Sequence, residues 1–233
     1  MPAIREIYLV LAIPALIGLA AIPAQAGELP VRVGNGSFSL PVTSVTESRF
    51  KTVVKQRYDY SCGAAAIATL LSHHYDEPTA EKGVFLEMYE IGDKEKIKQA
   101  GFSLLDMKGY LERKGWRADG YELSLEKFST ARIPAISIIN TNGYRHFVVI
   151  KGINENEILV GDPALGAKIY KRPDFEAIWE GVIFVIRDKI DVGQSHFNAK
   201  SEWRVREDAP FGTARTRANL GVFTLLLPAG NEF

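Results

Sequence analysis

The 233-residue chain predicts an α+β domain, with helices first and an antiparallel sheet second. Three observations carry that prediction. From Cys62 to Ser124 the sequence offers helix-favouring stretches opened or closed by capping residues. From Pro134 onward it turns to β-branched and aromatic runs separated by turn residues. Hydrophobic residues make up 46% and charged residues 24%, a globular composition long enough to bury a core.

The elements follow in order. Arg5 gives a weakly basic start, and Ile7 to Ala21 form an apolar run. Ala24-Gln25-Ala26 then offers a small-x-small cleavage pattern. The run is short for a bilayer span and contains Pro14, so residues 1–26 are expected to be a signal peptide, with Gly27 as the first mature residue. Gly27 is not a lipid-accepting Cys. The mature chain is therefore expected to be exported, periplasmic or otherwise outside the cytoplasm, with no membrane segment once the leader is cleaved.

Residues 27–51 read as an extended, Gly- and Pro-punctuated arm that reaches Thr52. Cys62 to Leu71, dense in Ala and Leu, predict a buried helix ended by Asp76, Glu77 and Pro78. A second helical region covers about Glu81 to Gln99. Ser103 opens a third helix with Asp106 in its acidic third position, and Gly115 closes it. Ser124 caps a short fourth. Ala135–Ile139, Tyr144–Ile153, Ile158–Asp162 and Val182–Ile186 are the expected strands, with Asn142-Gly143 and Asn154-Glu155-Asn156 as turns between the first three. The main domain is expected over residues 52–190. Residues 191–233 form an extension with an apolar run at Leu220–Leu227, whose role the sequence does not give.

Charge excludes some functions. Lys plus Arg and Asp plus Glu both total 28, so no basic surplus points to nucleic acid, and no phosphate-binding glycine loop occurs. Neither a metal-ligand spacing nor a cofactor motif recurs. One cysteine, Cys62, cannot form an internal disulfide, and an unpaired thiol in an oxidising compartment needs burial or a use.

The neighbours of Cys62 point to a use. It stands at the predicted head of a buried helix, where free N–H groups and the helix dipole favour a thiolate; Ser61 is placed to cap that helix. Gly63 is expected to leave room for a substrate backbone. Gln56, six residues earlier, is a candidate oxyanion donor together with the Cys62 N–H. Of four histidines, His73 and His74 lie roughly 16 Å down the helix at 1.5 Å per residue and cannot reach the thiol. His196 lies in the extension, where the sequence does not place it. His146 opens the apolar strand His146-Phe147-Val148-Val149-Ile150, a position where a polar group needs a reason. If Asp162 lies opposite Val148 in the hairpin, His146 and Asp162 share a face at roughly 7–8 Å between Cα atoms. A slip by one residue would separate them. Pro163 holds Asp162 extended. Cys62, His146, Asp162 and Gln56 together make a Cys-His-Asp hydrolase with an oxyanion donor.

These residues resemble a known family. Gln56-Arg57-Tyr58-Asp59-Tyr60-Ser61-Cys62-Gly63-Ala64-Ala65, His146-Phe147-Val148-Val149 and Gly161-Asp162-Pro163 are similar to the three signature blocks of peptidase family C39. The resemblance spans about Thr52 to Asp188. It implies a papain-like fold, peptide-bond hydrolysis, Cys62 as nucleophile, His146 as base, Asp162 as orienting group and Gln56 in the oxyanion hole. Many family members carry an acidic residue before the Cys, where this chain has Ser61. The best-known members are domains fused to exporters that cut after a double glycine, and this sequence shows neither membrane bundle nor ATPase. Its leader, length and tail are similar to stand-alone C39-like members found with bacterial functional-amyloid secretion systems. That implies a cysteine endopeptidase acting on an exported peptide or protein, with amyloid subunits or their secretion machinery as partners. A non-catalytic papain-like module that binds an exported client, and a thiol acyltransferase or amidase using the same triad, are the alternatives.

Overall fold

The computed structural model describes residues 27–33, 36–42 and 44–205. The expected leader and the Leu220–Leu227 run lie outside them. The described residues divide into two compact units, with the boundary between Ser44 and Val45. In the first, strands β1 (Gly27–Val33) and β2 (Gly36–Val42) pair antiparallel, with Val33 opposite Gly36. The stretch expected to be extended is therefore a hairpin over its first part. In the second unit it turns helical as α1 (Val45–Arg49).

The second unit continues with α2 (Cys62–His74), α3 (Glu81–Ile91), α4 (Lys94–Ala100) and α5 (Leu104–Arg113). Strand β3 (Ala118–Glu122) and α6 (Leu125–Ala131) follow. Then come β4 (Ala135–Thr141), β5 (Tyr144–Ile153), β6 (Glu157–Asp162) and β7 (Gly166–Lys171). The rest is α7 (Arg172–Glu176), β8 (Trp179–Ile186), α8 (Ile190–His196) and a 3-10 turn at Trp203–Val205. This is an α+β fold. No helix among the described residues is long and apolar enough to cross a membrane.

The predicted second helix is in fact two. Asp93 accepts from the N–H groups of Glu95 and Lys96, so a new N-cap starts α4 where α3 has stopped at Gly92. The capping box of Ser103 and Asp106 is present at α5, and Ser124 accepts from Lys127 N–H at α6. The sheet is not a plain meander. Its six antiparallel strands run β3-β8-β4-β5-β6-β7: the chain lays down β4 to β7 side by side, and β8 then returns to the free side of β4.

Strand alternation gives the sheet two buried faces. Ile136, Val149 and Phe184 pack with α2, α3 and α5, where Ile67, Leu70, Val84, Met107 and Leu111 fill the core. Val148, Ile150, Val160 and Ile183 pack on the other side against Phe128, Phe175 and Phe197. Phe197, just past α8, belongs to this packing. Asn198 donates its backbone N–H to Lys151 O and its Nδ2 to Ile153 O.

One irregularity sets the geometry of the site. Near the turn, Ile153 pairs with Ile158 and Gly152 with Leu159; past a bulge at Lys151 the pairs become Ile150 with Val160 and Val149 with Gly161. The pairing ends there; carried one step further, that register would set Asp162 beside Val148. Had the turn-side register run on, Asp162 would stand beside Val149 and point to the opposite face.

Candidate active site

Three segments converge on the head of α2. The first is the loop from Gln56 to Ser61, the second is the start of β5, and the third is the end of β6 with the turn that follows. Cys62 is the first residue of α2 and is 7% exposed. The helix is apolar on every side, which fits its position between α3, α5 and the sheet. Its sulfur-bearing end faces a groove of about 770 Å³ lined by Tyr60, Phe102, Leu104, Tyr144 and His146, among others. A separate cleft of about 570 Å³, near Trp116 and Lys189, contains none of the candidate groups.

Ladder pairing between β5 and β6 ends at Val149 and Gly161, so His146 and Asp162 stand just past it on adjoining strand ends. His146 Nε2 lies 2.9 Å from Asp162 Oδ1, with both side chains buried. The same Oδ1 accepts from the N–H groups of Ala164 and Leu165, at 2.8 Å and 3.1 Å. Burial alone would raise the Asp162 pKa; the hydrogen bond and charge of His146 and the two turn N–H groups outweigh it and hold the pKa below the ordinary value. Burial pulls the His146 imidazolium down, but Asp162 and the Cys62 sulfur on its other side raise it to about 9. Nδ1 of that ring has no hydrogen-bond partner of good geometry among the described residues. The sulfur therefore stands beside the ring without a formed hydrogen bond.

Tyr144, which nothing in its local context singles out, stacks on the His146 ring at 5.8 Å between centroids. Its hydroxyl donates to Asp59 O across the groove, at 3.2 Å. The structure also pins Gln56. Its backbone N–H donates to Pro163 O, directly after Asp162, at 2.9 Å. Its Nε2 donates one proton to Tyr58 O at 3.1 Å, which leaves the second proton of that amide group for a ligand. Gln56 Oε1 is buried with no partner among the described residues.

Two local expectations are corrected. Ser61 does not cap α2 with its side chain. Its ψ of 8° is outside the extended region that an N-cap uses, and its hydroxyl donates instead to the buried Glu81 carboxylate at 2.7 Å, a stronger charged acceptor. Gly63 leaves no open space for a substrate. A methyl group there would meet Phe102 at 3.3 Å and Met107 and Phe147 at 3.5 Å, so the glycine serves close packing of the helix head. Of the other histidines, His74 is fully buried at the far end of α2, and His196 on α8 pairs with Asp76 at 3.1 Å. Among the described residues no group of side chains is arranged to hold a metal ion.

The model of the Peptidase C39 family matches residues 50–191. Over 178 residues the chain is 39% identical to the probable functional amyloid protease FapD of Pseudomonas aeruginosa, covering 76% of this chain and 78% of that protein. The protein of the same name from Pseudomonas fluorescens is 38% identical over 173 residues, covering 73% and 76%. Among solved structures, the peptidase domain of Streptococcus ComA superposes with a TM-score of 0.50 at 18% identity, over 58% of this chain and 96% of that one. That likeness establishes a shared fold.

Proposed function

The chain belongs to the peptidase C39 family, and from that premise we propose that it is an exported cysteine endopeptidase that cuts a client protein or peptide, such as a functional-amyloid component, in the periplasm. The observation that carries the reading is the meeting of three groups. A thiol at the head of a buried helix borders an open groove, beside an imidazole hydrogen-bonded at 2.9 Å to a buried carboxylate. The amyloid client is supported by the names of the Pseudomonas relatives.

In this mechanism His146 takes the Cys62 proton, and the thiolate attacks the carbonyl carbon of the scissile amide. Gln56 Nε2 and the Cys62 N–H, which has no partner within the helix, receive the charge that develops on oxygen. His146 then passes its proton to the departing amine. Water attacks the thioester with His146 as base, freeing the acid and restoring the thiol. Asp162 fixes the ring and stabilises the imidazolium through both steps.

The test compares exported proteins by mass spectrometry in cells carrying the native chain or Cys62→Ala. A new terminus that depends on Cys62 supports the peptidase and identifies its bond. Identical termini in both strains overturn it in favour of a client-binding module.

A further inference from the structure

We propose that Glu81 is a positioning residue for the oxyanion site, and that a single one of its oxygens sets the spacing of the two donors. This rests on the peptidase reading above. Glu81 opens α3 and is buried, although nothing in the proposed chemical steps uses it. Its Oε1 accepts from Ser61 Oγ at 2.7 Å and from Arg57 N–H at 3.0 Å.

Those two donors are not arbitrary places on the loop. Arg57 N–H belongs to the peptide group that leaves Gln56. Ser61 is the residue whose carbonyl forms the peptide with Cys62 N–H. One atom of Glu81 is thus tied to the neighbour of each oxyanion donor, from opposite ends of the loop. The Ser61 hydroxyl has one proton to give. Two acceptors lie in reach of it, Tyr58 O at 2.9 Å and Glu81 Oε1 at 2.7 Å; Tyr58 O already receives Ser61 N–H and Gln56 Nε2, so the nearer carboxylate oxygen is the better acceptor for that proton. Ser61 Oγ in turn accepts from Tyr58 N–H at 3.2 Å, which draws the middle of the loop to the same anchor.

Other anchors leave this freedom open. Pro163 O holds only the N–H side of Gln56, and Tyr144 Oη holds only Asp59 O. The Arg57 guanidinium lies 3.7 Å from Glu81 Oε2 with a side chain 69% exposed, so water screens it and the pair adds little. A carboxylate at the first turn of α3 is also placed where that helix's dipole favours an acidic side chain. The bland alternative is a buried carboxylate that supports the fold and nothing else.

Two small probes of Cys62 separate the readings. Iodoacetamide alkylates the thiolate by displacement at carbon and forms no oxyanion. p-Nitrophenyl acetate acylates it through a tetrahedral oxyanion that needs both donors. With Glu81→Ala, acylation is expected to fall at least about tenfold, approaching the 10²–10³ loss seen when an oxyanion donor is removed. Alkylation and its pH profile should stay within about twofold, because His146 and the helix head are untouched. Glu81→Gln, which keeps an acceptor oxygen, should recover part of the acylation rate, and Ser61→Ala should lose part of it. If Glu81→Ala does not fold, the same comparison in Ser61→Ala and Glu81→Gln decides the matter. Parallel loss of both rates, or acylation unchanged in every folded variant, overturns the positioning role. A native chain that acylates no faster than Cys62→Ala overturns the peptidase reading itself, an outcome visible without any Glu81 variant.

Discussion

Asp162 Oδ1 receives a ring N–H and two backbone N–H groups, so the carboxylate is held both by its own turn and by the residue it is proposed to orient. Asp162→Asn keeps an acceptor oxygen and removes the charge. The His146 imidazolium, now raised to about 9, should then titrate closer to the ordinary 6.5, which ring NMR signals would report. The alkaline limb of p-nitrophenyl acetate turnover should move to lower pH with it, and the rate at neutral pH should fall by about 10²–10⁴. An unchanged ring titration would refute the role assigned to Asp162. Much at this scale was legible in the sequence. Cys62 and His146 stood out as a lone thiol at a helix head and a polar group opening an apolar strand, whereas Asp162 and Gln56 gained meaning only beside them. Glu81 and Tyr144 did not stand out. A glutamate in a helix's first turn and a tyrosine after Asn-Gly are ordinary in place, and the hydrogen bonds that tie them to the site loop reach 20 and 85 residues along the chain.

At the scale of elements, caps and turns were read more easily than pairing. The Ser103 box, the Ser124 cap and the β4–β5 turn follow local rules, and the structure contains them. Strand β3 was missed because Ala118-Asp119-Gly120 has poor strand propensity; tertiary pairing with β8 decides it. Helix α8 was hidden by Gly193, which is there because a methyl group would come within 2.9 Å of Tyr75 Oη. The turn after Asp162 shows how little slack the elements have. Gly166 sits at φ +81°, and a methyl group on it would lie 2.7–2.9 Å from the Arg49 backbone and Cβ in α1. Gly166→Ala is expected to destabilise by about 1–3 kcal/mol, measured by denaturant melting. It should also slow thiol acylation at temperatures where the fold persists, since β6 and β7 pair at Asp162 and Gly166. Unaltered melting would mean that α1 gives way freely.

For the whole molecule, buried titratable groups bound the pH range of stability. His74 is fully buried and both its ring nitrogens lack partners among the described residues. Burial, and then the charges of Lys151, His196 and His73, hold its pKa well below 6.5. His74 therefore contributes stability above pH 6.5 that is lost as pH falls, because the unfolded chain takes a proton that the folded one refuses. His146 has the opposite sign: its contribution is full below pH 6.5 and is lost as pH rises through about 9. Melting temperature should thus peak near neutral pH. His74→Leu should flatten the acid side, where one such group gives a slope of up to about 1.4 kcal/mol per pH unit. An equally steep acid limb in that variant would assign it to other groups, such as Asp162.

The bulge at Lys151 has a consequence for how this domain tolerates change. It reverses the parity of β5 between the hairpin's tip and its working end, so whether His146 emerges on the same side as Asp162 is decided by a lysine that is neither of them. That lysine is fixed from two directions, its Nζ reaching Thr52 before the loop and Glu202 in the C-terminal segment. A one-residue change near the tip is silent only if Lys151 compensates for it. Without that compensation, a well-folded chain would carry every group the chemistry needs, with the acid and its imidazole on opposite sides of the same strands.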